Sequence, residues 1–312
     1  MMKVGVIGIG SMGINHVRVY SQMPGVELVG IADPDKEKCR EAAKNYNTKA
    51  YIDYKDLLGQ GLDGVSIATP TTLHKDIAIE AMKQGVSVLV EKPIADTVEN
   101  AEAMIRASKE NGVKLMVGHI ERFNPAIIAL KKEIDKDKFG KIVSISATRV
   151  GPSAPRIRDV GIILDLGVHD IDIMSHLYSE RVREVFATAG SVDHKLEDYA
   201  SILLKFNNGN AGVIKTNWLT PHKMRKLSVT GTRGIAYVDS IKSSVEMHNG
   251  SPNINLKVEA CEPLKTELEH FVDCIELGVE PSVSGEDGKA ALKVALSAVE
   301  SYKTGRVVEV EA

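Results

Sequence analysis

The sequence predicts an α/β protein with an N-terminal doubly wound parallel sheet and a C-terminal α+β domain built on an open, mostly antiparallel sheet. In residues 1–120, short apolar runs alternate with helical segments, which is typical of parallel strands joined by crossover helices. In residues 121–312, several β-rich runs are separated by Gly/Asn turns such as Asn207–Gly209, which favours antiparallel pairing. We therefore predict two domains with a boundary near residue 120.

The first strand leads into a glycine-rich turn. The apolar run at residues 4–9 precedes Gly8, Gly10 and Gly13 in the pattern GIGSMG. These glycines allow a sharp turn, close approach of backbone N–H groups to a pyrophosphate, and close packing of the next helix. Asp33 ends a second apolar run twenty residues later, where a carboxylate accepts hydrogen bonds from ribose hydroxyls and repels the 2′-phosphate of NADP. The pattern predicts an NAD-binding Rossmann fold; a purely structural glycine turn is the alternative.

The composition argues against several classes of partner. The formal net charge is only −3, with 26% charged residues, so neither nucleic acid nor an anionic membrane is expected. No apolar run approaches the roughly 20 residues of a membrane span, and no signal-peptide pattern is found. The three cysteines lack metal-type spacing and fit a reducing compartment. We expect a cytoplasmic protein.

The remaining elements of the first domain follow in order. Helices are expected over residues 34–46, 53–58, 71–83 and 97–111, and strands near 50 and over 63–68, 86–90 and 114–118. Thr71 or Thr72 would cap the third of these helices. Because ligands bind beyond the carboxyl ends of parallel strands, residues that follow the strands should border one cleft. These residues include Thr69, His74, Glu91, Lys92, His119 and Arg122.

The second domain is expected to start with a helix at 125–134 and a strand at 141–150. A proline-containing charged loop, GPSAPRIRDVG, precedes a helix at 162–177. Strands then run to about residue 258, and two helices near 264–277 and 286–302 close the chain and could return to the first domain. Helices that cover one face of the sheet leave the other in need of a partner, which predicts a homodimer or homotetramer through that face.

A lysine stands directly after a buried strand, in the segment Glu91-Lys92-Pro93. At the carboxyl end of a parallel strand, Lys92 can hydrogen-bond a substrate hydroxyl and offset negative charge on its oxygen as hydride leaves. A solvated surface lysine is the alternative interpretation.

Two carboxylates and an imidazole occur at helical spacing in an otherwise apolar segment. Asp165, His169 and Asp172 stand at i, i+4 and i+7, within roughly 40° of one another on a regular helix. His169 is a candidate base because the reference pKa of histidine, about 6.5, lies near working pH. Asp165 could orient the ring or meet the substrate. A metal site and a buried structural network are the alternatives, and we predict no metal.

Basic residues flank the proline-containing loop. Arg149, Arg156 and Arg158 carry guanidinium groups, which suit a diphosphate or a carboxylate. A solvated surface loop is the alternative. Arg122 and Asn124 are further candidates for contact with substrate.

In combination, these motifs resemble the glucose–fructose oxidoreductase/inositol dehydrogenase family (Gfo/Idh/MocA). The glycine motif, TPTTLH at Thr69–His74, Glu91-Lys92-Pro93 and DLGVHDID at Asp165–Asp172 follow the family's order over nearly the whole chain. Thr72 is a departure, because many members have asparagine there. The resemblance implies that Lys92 and His169 are catalytic, with Asp165 as the preceding aspartate, and that the second sheet forms dimers or tetramers.

The motifs, their positions and the resemblance give two sets of candidate ligand-binding residues. The cofactor set for NAD is Gly8, Gly10, Ser11, Met12, Gly13, Asp33, Thr69, Pro70, Thr72, His74, Glu91 and Lys92. The substrate set is Lys92, Arg122, Asn124, Arg149, Arg156, Arg158, Asp165 and His169.

Two stretches, GHIERFNPAI and RVGPSAPRIRDVG, resemble the nucleotide-sugar branch of the family. This likeness implies oxidation at C3 of UDP-N-acetylglucosamine, with the arginine loop on the diphosphate. Two alternatives remain: a dehydrogenase of a free sugar or polyol of the inositol type, and a non-catalytic sensor of NAD or sugar.

Overall fold

The computed structural model describes residues 1–152, 160–250 and 253–310. The chain forms two compact units. The first consists of residues 1–120 and 262–289, and the second of residues 121–261 and 290–312. Among the described residues, no helix is both long and apolar enough to cross a membrane.

A six-stranded parallel sheet forms the centre of the first unit. Its strands are β1 (Met2–Ile7), β2 (Val26–Ala32), β3 (Lys49–Tyr51), β4 (Gly64–Ile67), β5 (Ser87–Glu91) and β6 (Leu115–Gly118). Its first five helices are α1 (Gly13–Ser21), α2 (Lys36–Asn45), α3 (Tyr54–Leu58), α4 (His74–Lys83) and α5 (Val98–Asn111). The strand order β3-β2-β1-β4-β5-β6 confirms the predicted doubly wound sheet and places its switch point between β1 and β4.

Short polar residues and glycine determine where these helices begin and end. The Asp35 side chain accepts a hydrogen bond from Lys38 N at the start of α2, and Thr97 does the same for Asn100 N at the start of α5. Gly112 adopts a left-handed conformation (φ 65°) that ends α5. Each of these signals is visible in the sequence.

The start of α4 differs from the expectation. Residues Thr71–Leu73 form a 3₁₀ turn, and α4 begins at His74 without a side-chain cap. Leu73 already has helical dihedral angles (φ −97°, ψ −11°), so the chain enters the helix through this turn rather than through an extended capping residue. The prediction that Thr71 or Thr72 caps the helix was therefore wrong.

A nine-stranded mixed sheet forms the second unit. Its strands are β7 (Ile142–Pro152), β8 (Val182–Gly190), β9 (Tyr199–Phe206), β10 (Ala211–Asn217), β11 (Leu219–Gly231), β12 (Gly234–Asp239), β13 (Ser244–His248), β14 (Ile254–Asn255) and β15 (Val308–Glu309). The order is β14-β13-β12-β11-β7-β10-β9-β8-β15. Only β7 and β10 pair in parallel among these described strands, which confirms the open, mostly antiparallel sheet.

Helices cover one face of this sheet. They include α6 (Pro125–Asp135), a π-helix over Ile163–Gly167 and α7 (Val168–Tyr178). Burial alternates along the strands, as on β9, where Ile202 and Leu204 are buried while Leu203 is 50% exposed. The sheet therefore has one packed face and one open face.

Two further helices, α8 (Pro263–Leu277) and α9 (Gly285–Thr304), precede the last strand, β15. The first of them lies on the parallel sheet of the first unit, where Phe271 and Ile275 approach Gly64. A Cβ at Gly64 would lie 2.8 Å from Ile275 Cδ1, so this strand position needs glycine to admit the helix.

Candidate active site

The glycine turn after β1 forms a backbone cradle. A Cβ at Gly13 would lie 1.8 Å from Gly8 O, and Gly8 itself has φ 82° with Ala68 O 2.7 Å from its ideal Cβ position. At Gly10, by contrast, no atom lies within 4 Å of the ideal Cβ position. The turn is therefore closed on its protein side and open at Gly10, beside the N-terminus of α1, which suits a pyrophosphate.

Asp33 is held at the end of β2, next to this turn. Its Oδ2 accepts a hydrogen bond from Ile9 N at 2.9 Å, and its Oδ1 accepts one from Asp35 N at 3.0 Å. A carboxylate oxygen has a second lone pair, so each oxygen can also accept from a ribose hydroxyl. Ser11 and Met12 complete the turn before α1. The residues present therefore fit NAD.

The segment after β4 is tied to the segment after β5 by His74. Its Nε2 lies 3.0 Å from Thr69 O, and its Nδ1 lies 3.1 Å from Pro93 O. Burial lowers the pKa of His74. The ring, expected from the sequence to contact the cofactor, thus lies between backbone carbonyls, and its neutral form donates a hydrogen bond to one of them. Pro70 and Thr72, by contrast, are exposed at the surface of the first unit.

Lys92 directly follows β5, which lies between β4 and β6 in the parallel sheet. The Glu91 side chain beside it is buried, 3.0 Å from His16 Nε2, and accepts a hydrogen bond from Lys92 N at 3.3 Å. Burial alone would raise the pKa of Glu91, but the His16 hydrogen bond and the nearby positive charge of Lys92 lower it overall. Glu91 therefore joins α1 to the lysine segment inside the first unit.

The candidate base lies in the second unit, at a change of helix type. Asp165 is in the π-helix, and His169 is the second residue of α7. The predicted helix over residues 162–177 is present, but its first part is a π turn, so the angle between Asp165 and His169 differs from that on a regular helix. Single π turns within helices occur frequently at functional sites. His169 is 8% exposed and Asp165 is half-buried.

Arg122 and Asp172 form a two-point ion pair. Arg122 Nε donates to Asp172 Oδ2 at 2.8 Å, and its Nη2 donates to Oδ1 at 2.5 Å. The Asp172 side chain is only 2% exposed. Both oxygens of this aspartate, which the sequence placed on the catalytic face, are therefore bound by a guanidinium group.

Arg149 lies in a buried network. Its Nε and Nη2 each donate to Asp170 at 2.9 Å, and its Nη1 donates to Glu121 at 2.7 Å. Arg225 also pairs with Glu121, at 3.0 Å. Burial alone would lower the pKa of Arg149, but Asp170 and Glu121 raise it overall. The pKa of Glu121, which burial alone would raise, is lowered by Arg149 and Arg225.

Asn124 is the N-cap of α6. Its Oδ1 accepts from Ala126 N at 3.1 Å, and its Nδ2 donates to Ser240 O at 3.2 Å and Glu121 Oε2 at 3.3 Å. Three residues that the sequence proposed for substrate contact, Arg122, Asn124 and Arg149, are therefore bonded inside the second unit. Arg156 and Arg158 lie outside the described residues.

Sequence reasoning missed three buried groups of this chemistry: Glu121, Asp170 and Glu267. A charged residue within an apolar helical run is the signal that could have found Asp170. In the described part of the chain, no group of three or more His, Cys, Asp or Glu side chains is arranged to hold a metal ion.

Known proteins share both units. Residues 2–119 match the GFO/IDH/MocA oxidoreductase family model with an NAD-binding Rossmann fold, and residues 127–237 match the GFO/IDH/MocA C-terminal domain. The scyllo-inositol 2-dehydrogenase (NAD(+)) of Bacillus subtilis is 27% identical, over 99% of this chain and 96% of the relative. The UDP-N-acetylglucosamine 3-dehydrogenase of Acidithiobacillus ferrooxidans is 29% identical, over 96% and 98%.

Solved structures agree with these matches. The structure of the Acidithiobacillus ferrooxidans enzyme superposes with a TM-score of 0.91 at 28% identity, covering 97% of this chain and 98% of that one. A levoglucosan dehydrogenase bound to NADH and levoglucosan has a TM-score of 0.93 over 100% of both chains, but at 22% identity this likeness shows the fold alone.

Proposed function

We propose a dehydrogenase function from the premise that this chain belongs to the GFO/IDH/MocA family of NAD-binding oxidoreductases. The chain would oxidise a secondary hydroxyl group of a sugar or polyol to a ketone. The observation that carries the proposal is the place of Lys92, directly beyond β5 in the unit whose glycine turn fits NAD. The first unit thus combines a glycine turn that fits the cofactor with a cationic side chain at the ligand-binding edge of the sheet.

Each candidate residue has a distinct role in this reaction. NAD, when bound on the glycine turn, supplies the hydride acceptor. Lys92 hydrogen-bonds the substrate oxygen and offsets the negative charge that develops there. His169 accepts the hydroxyl proton, and Asp165 orients the imidazole and stabilises its charged form. Orientation and preorganised charge then supply the acceleration.

Within this class, we propose C3 of UDP-N-acetylglucosamine as the site of oxidation. The support is the 29% identity to a UDP-N-acetylglucosamine 3-dehydrogenase, which extends over nearly the whole chain. Arg156 and Arg158 would bind the diphosphate.

A free polyol is the second candidate substrate. It is favoured by relatives named as inositol dehydrogenases, such as the myo-inositol 2-dehydrogenase of Thermotoga maritima, which is 28% identical over 99% of both chains. This candidate predicts turnover without UDP and no effect of Arg156 or Arg158. A sensor without turnover is the third possibility, but Lys92, Asp165 and His169 are all retained.

We also propose a cytoplasmic homodimer or homotetramer that uses the open face of the second sheet. On this face, Tyr199 is 42% exposed, Leu203 50% and Val213 40%. Neighbouring exposed apolar side chains on one sheet face favour coverage by a second copy. Light scattering of wild type and of Leu203→Glu tests this: the variant should have the smaller mass, and an unchanged mass would contradict the use of this face.

The activity test measures NADH formation with NAD or NADP and four substrates: UDP-N-acetylglucosamine, UDP-N-acetylgalactosamine, N-acetylglucosamine and myo-inositol. Turnover only with a UDP sugar supports the nucleotide-sugar proposal, whereas turnover only with myo-inositol or the free sugar overturns it in favour of the second candidate. Lys92→Ala and His169→Ala should each lower kcat by about 10²–10⁴-fold. Wild-type rates in both variants would contradict the assigned roles, and thermal unfolding of each variant serves as the folding control.

A further inference from the structure

His169 lies among several carboxylates on its own helical segment. Asp165 precedes it by four residues, Asp170 is adjacent, and Asp172 follows by three. On a helix, side chains three or four positions apart are neighbours, with Cβ atoms about 5–6 Å apart. An uncompensated carboxylate at this distance in a protein interior favours the imidazolium form, raising a histidine pKa by on the order of one to two pH units. A protonated His169 could not accept a proton from substrate.

Arginines from other elements oppose two of these charges. Arg122, from the turn before α6, binds both oxygens of Asp172 at 2.8 and 2.5 Å. Arg149, from β7, binds both oxygens of Asp170 at 2.9 Å. Arg122 and Asp172 have side-chain exposures of only 9% and 2%, so solvent screens this pair poorly.

The other charged groups near α7 are the same in every variant compared below, and they include Asp165 in the π-helix. Glu121 is paired with both Arg149 and Arg225. His176 is near the end of α7, and Lys215 on β10 is exposed to solvent. Among these groups, the Arg122–Asp172 pair is the one whose carboxylate stands a single helical turn beyond His169.

We propose that Arg122 is a positioning residue for the dehydrogenase reaction, which holds Asp172 in a two-point ion pair and thereby keeps His169 neutral and able to accept the substrate proton. This inference rests on the proposed role of His169 as the base. It differs from the role in substrate binding that the sequence assigns to Arg122, because the guanidinium group acts through Asp172 rather than on the ligand.

The test is the pH dependence of kcat/KM, measured with NAD and the substrate that turns over in the activity screen. In Arg122→Gln, Asp172 loses its partner, so the acidic limb of the profile should move up by about one pH unit. In the double variant Arg122→Gln/Asp172→Asn both charges are absent, and the limb should return to the wild-type position. Arg122→Lys, which keeps the charge, should move it less than Arg122→Gln.

Lys131→Gln is the matched control. It removes a cation from an ion pair with Asp135 on the surface of the same unit and should leave the limb in place. If Arg122 instead contacts substrate, Arg122→Gln will raise KM at every pH with an unmoved limb, and Asp172→Asn will not rescue it; this result would overturn the proposal. Thermal unfolding identifies a single variant that fails to fold. The double variant, in which both charges are absent, then still tests whether the acidic limb keeps its wild-type position.

A second readout does not need turnover. Histidine side-chain NMR of the NAD-loaded protein, assigned with His169→Gln, follows the titration of His169 directly. An upward move in Arg122→Gln supports the proposal, and an unchanged titration overturns it. Failure of the proposed function is a different result, because His169→Gln would then turn over substrate at the wild-type rate whatever Arg122 does.

Discussion

The buried acidic side chains around α7 in the second unit are paired differently from those in the first unit. In the second unit, Glu121, Asp170 and Asp172 are each paired with arginine. In the first unit, Glu91 is paired with a histidine, and neither carboxyl oxygen of the fully buried Glu267 has a hydrogen-bond partner among the described residues. The pKa of Glu267 is raised well above its usual value, first by burial and then by the charge of Glu91.

The two sets of buried groups differ in whether their charge depends on pH. Arginine stays protonated in proteins, so Arg149 and Arg122 supply positive charges around α7 that do not depend on pH. Burial nevertheless raises the pKa of Asp170 above its usual range, although Arg149 opposes this shift. In the first unit, burial and the charge of Glu91 favour the protonated form of Glu267, so this buried acid carries no fixed charge. The comparison predicts large losses when the arginine network is cut and a gain when the unpaired acid is removed.

Arg149→Met should have the largest effect. The variant leaves Asp170 buried without a cation and removes one of the two arginine partners of Glu121. We expect this to lower the free energy of unfolding by about 3–5 kcal/mol. Urea unfolding followed by the fluorescence of Trp218, the chain's single tryptophan and a buried residue of the second unit, measures the loss. Arg225→Met is the control, with a loss of about 1 kcal/mol or less because its side chain is 40% exposed. Equal losses in the two variants would contradict the comparison.

Glu267→Met should act in the other direction. Burying a polar group without a partner costs about 1–3 kcal/mol, so the variant is expected to gain about that free energy of unfolding at neutral pH. The folded pKa of Glu267 lies above the unfolded one, so the folded state holds the extra proton and wild-type stability falls as pH rises from about 4. The gain should therefore shrink toward acidic pH. Urea unfolding followed by circular dichroism at neutral and at acidic pH measures this change, and a loss of stability under both conditions would contradict the prediction.

Much of the fold could be predicted from the sequence because its signals are local. The turn at Gly8 and Gly13 and the caps at Asp35 and Thr97 depend on residues close in the chain. The position of Lys92 follows from a general rule about strand ends. The sequence therefore predicted both sheets and the place of this lysine relative to the first one.

The partners of the buried charges could not be predicted in the same way. Arg149 meets Asp170 and Glu121 only because three separate elements pack together, and no local pattern specifies that packing. A guanidinium group that binds a ligand and one that binds a buried carboxylate have the same sequence signature, so Arg122 was also assigned to substrate. The π turn at Asp165 depends on i→i+5 bonding, which no single residue type marks.

The smallest effect is expected at the surface, where the difference between the units should disappear. Lys109 pairs with Glu286 in the first unit and Lys205 pairs with Glu184 in the second, with side-chain exposures of 69% and 53% for the lysines. Water and salt screen such pairs in any fold, so Lys109→Gln and Lys205→Gln should each change the free energy of unfolding by about 0–1 kcal/mol. Urea unfolding at low and high salt checks both variants in parallel. A loss in either variant as large as that in Arg149→Met would mean that burial does not determine how much an ion pair contributes to the free energy of unfolding. Burial would then not explain the contrast between the buried acids of the two units.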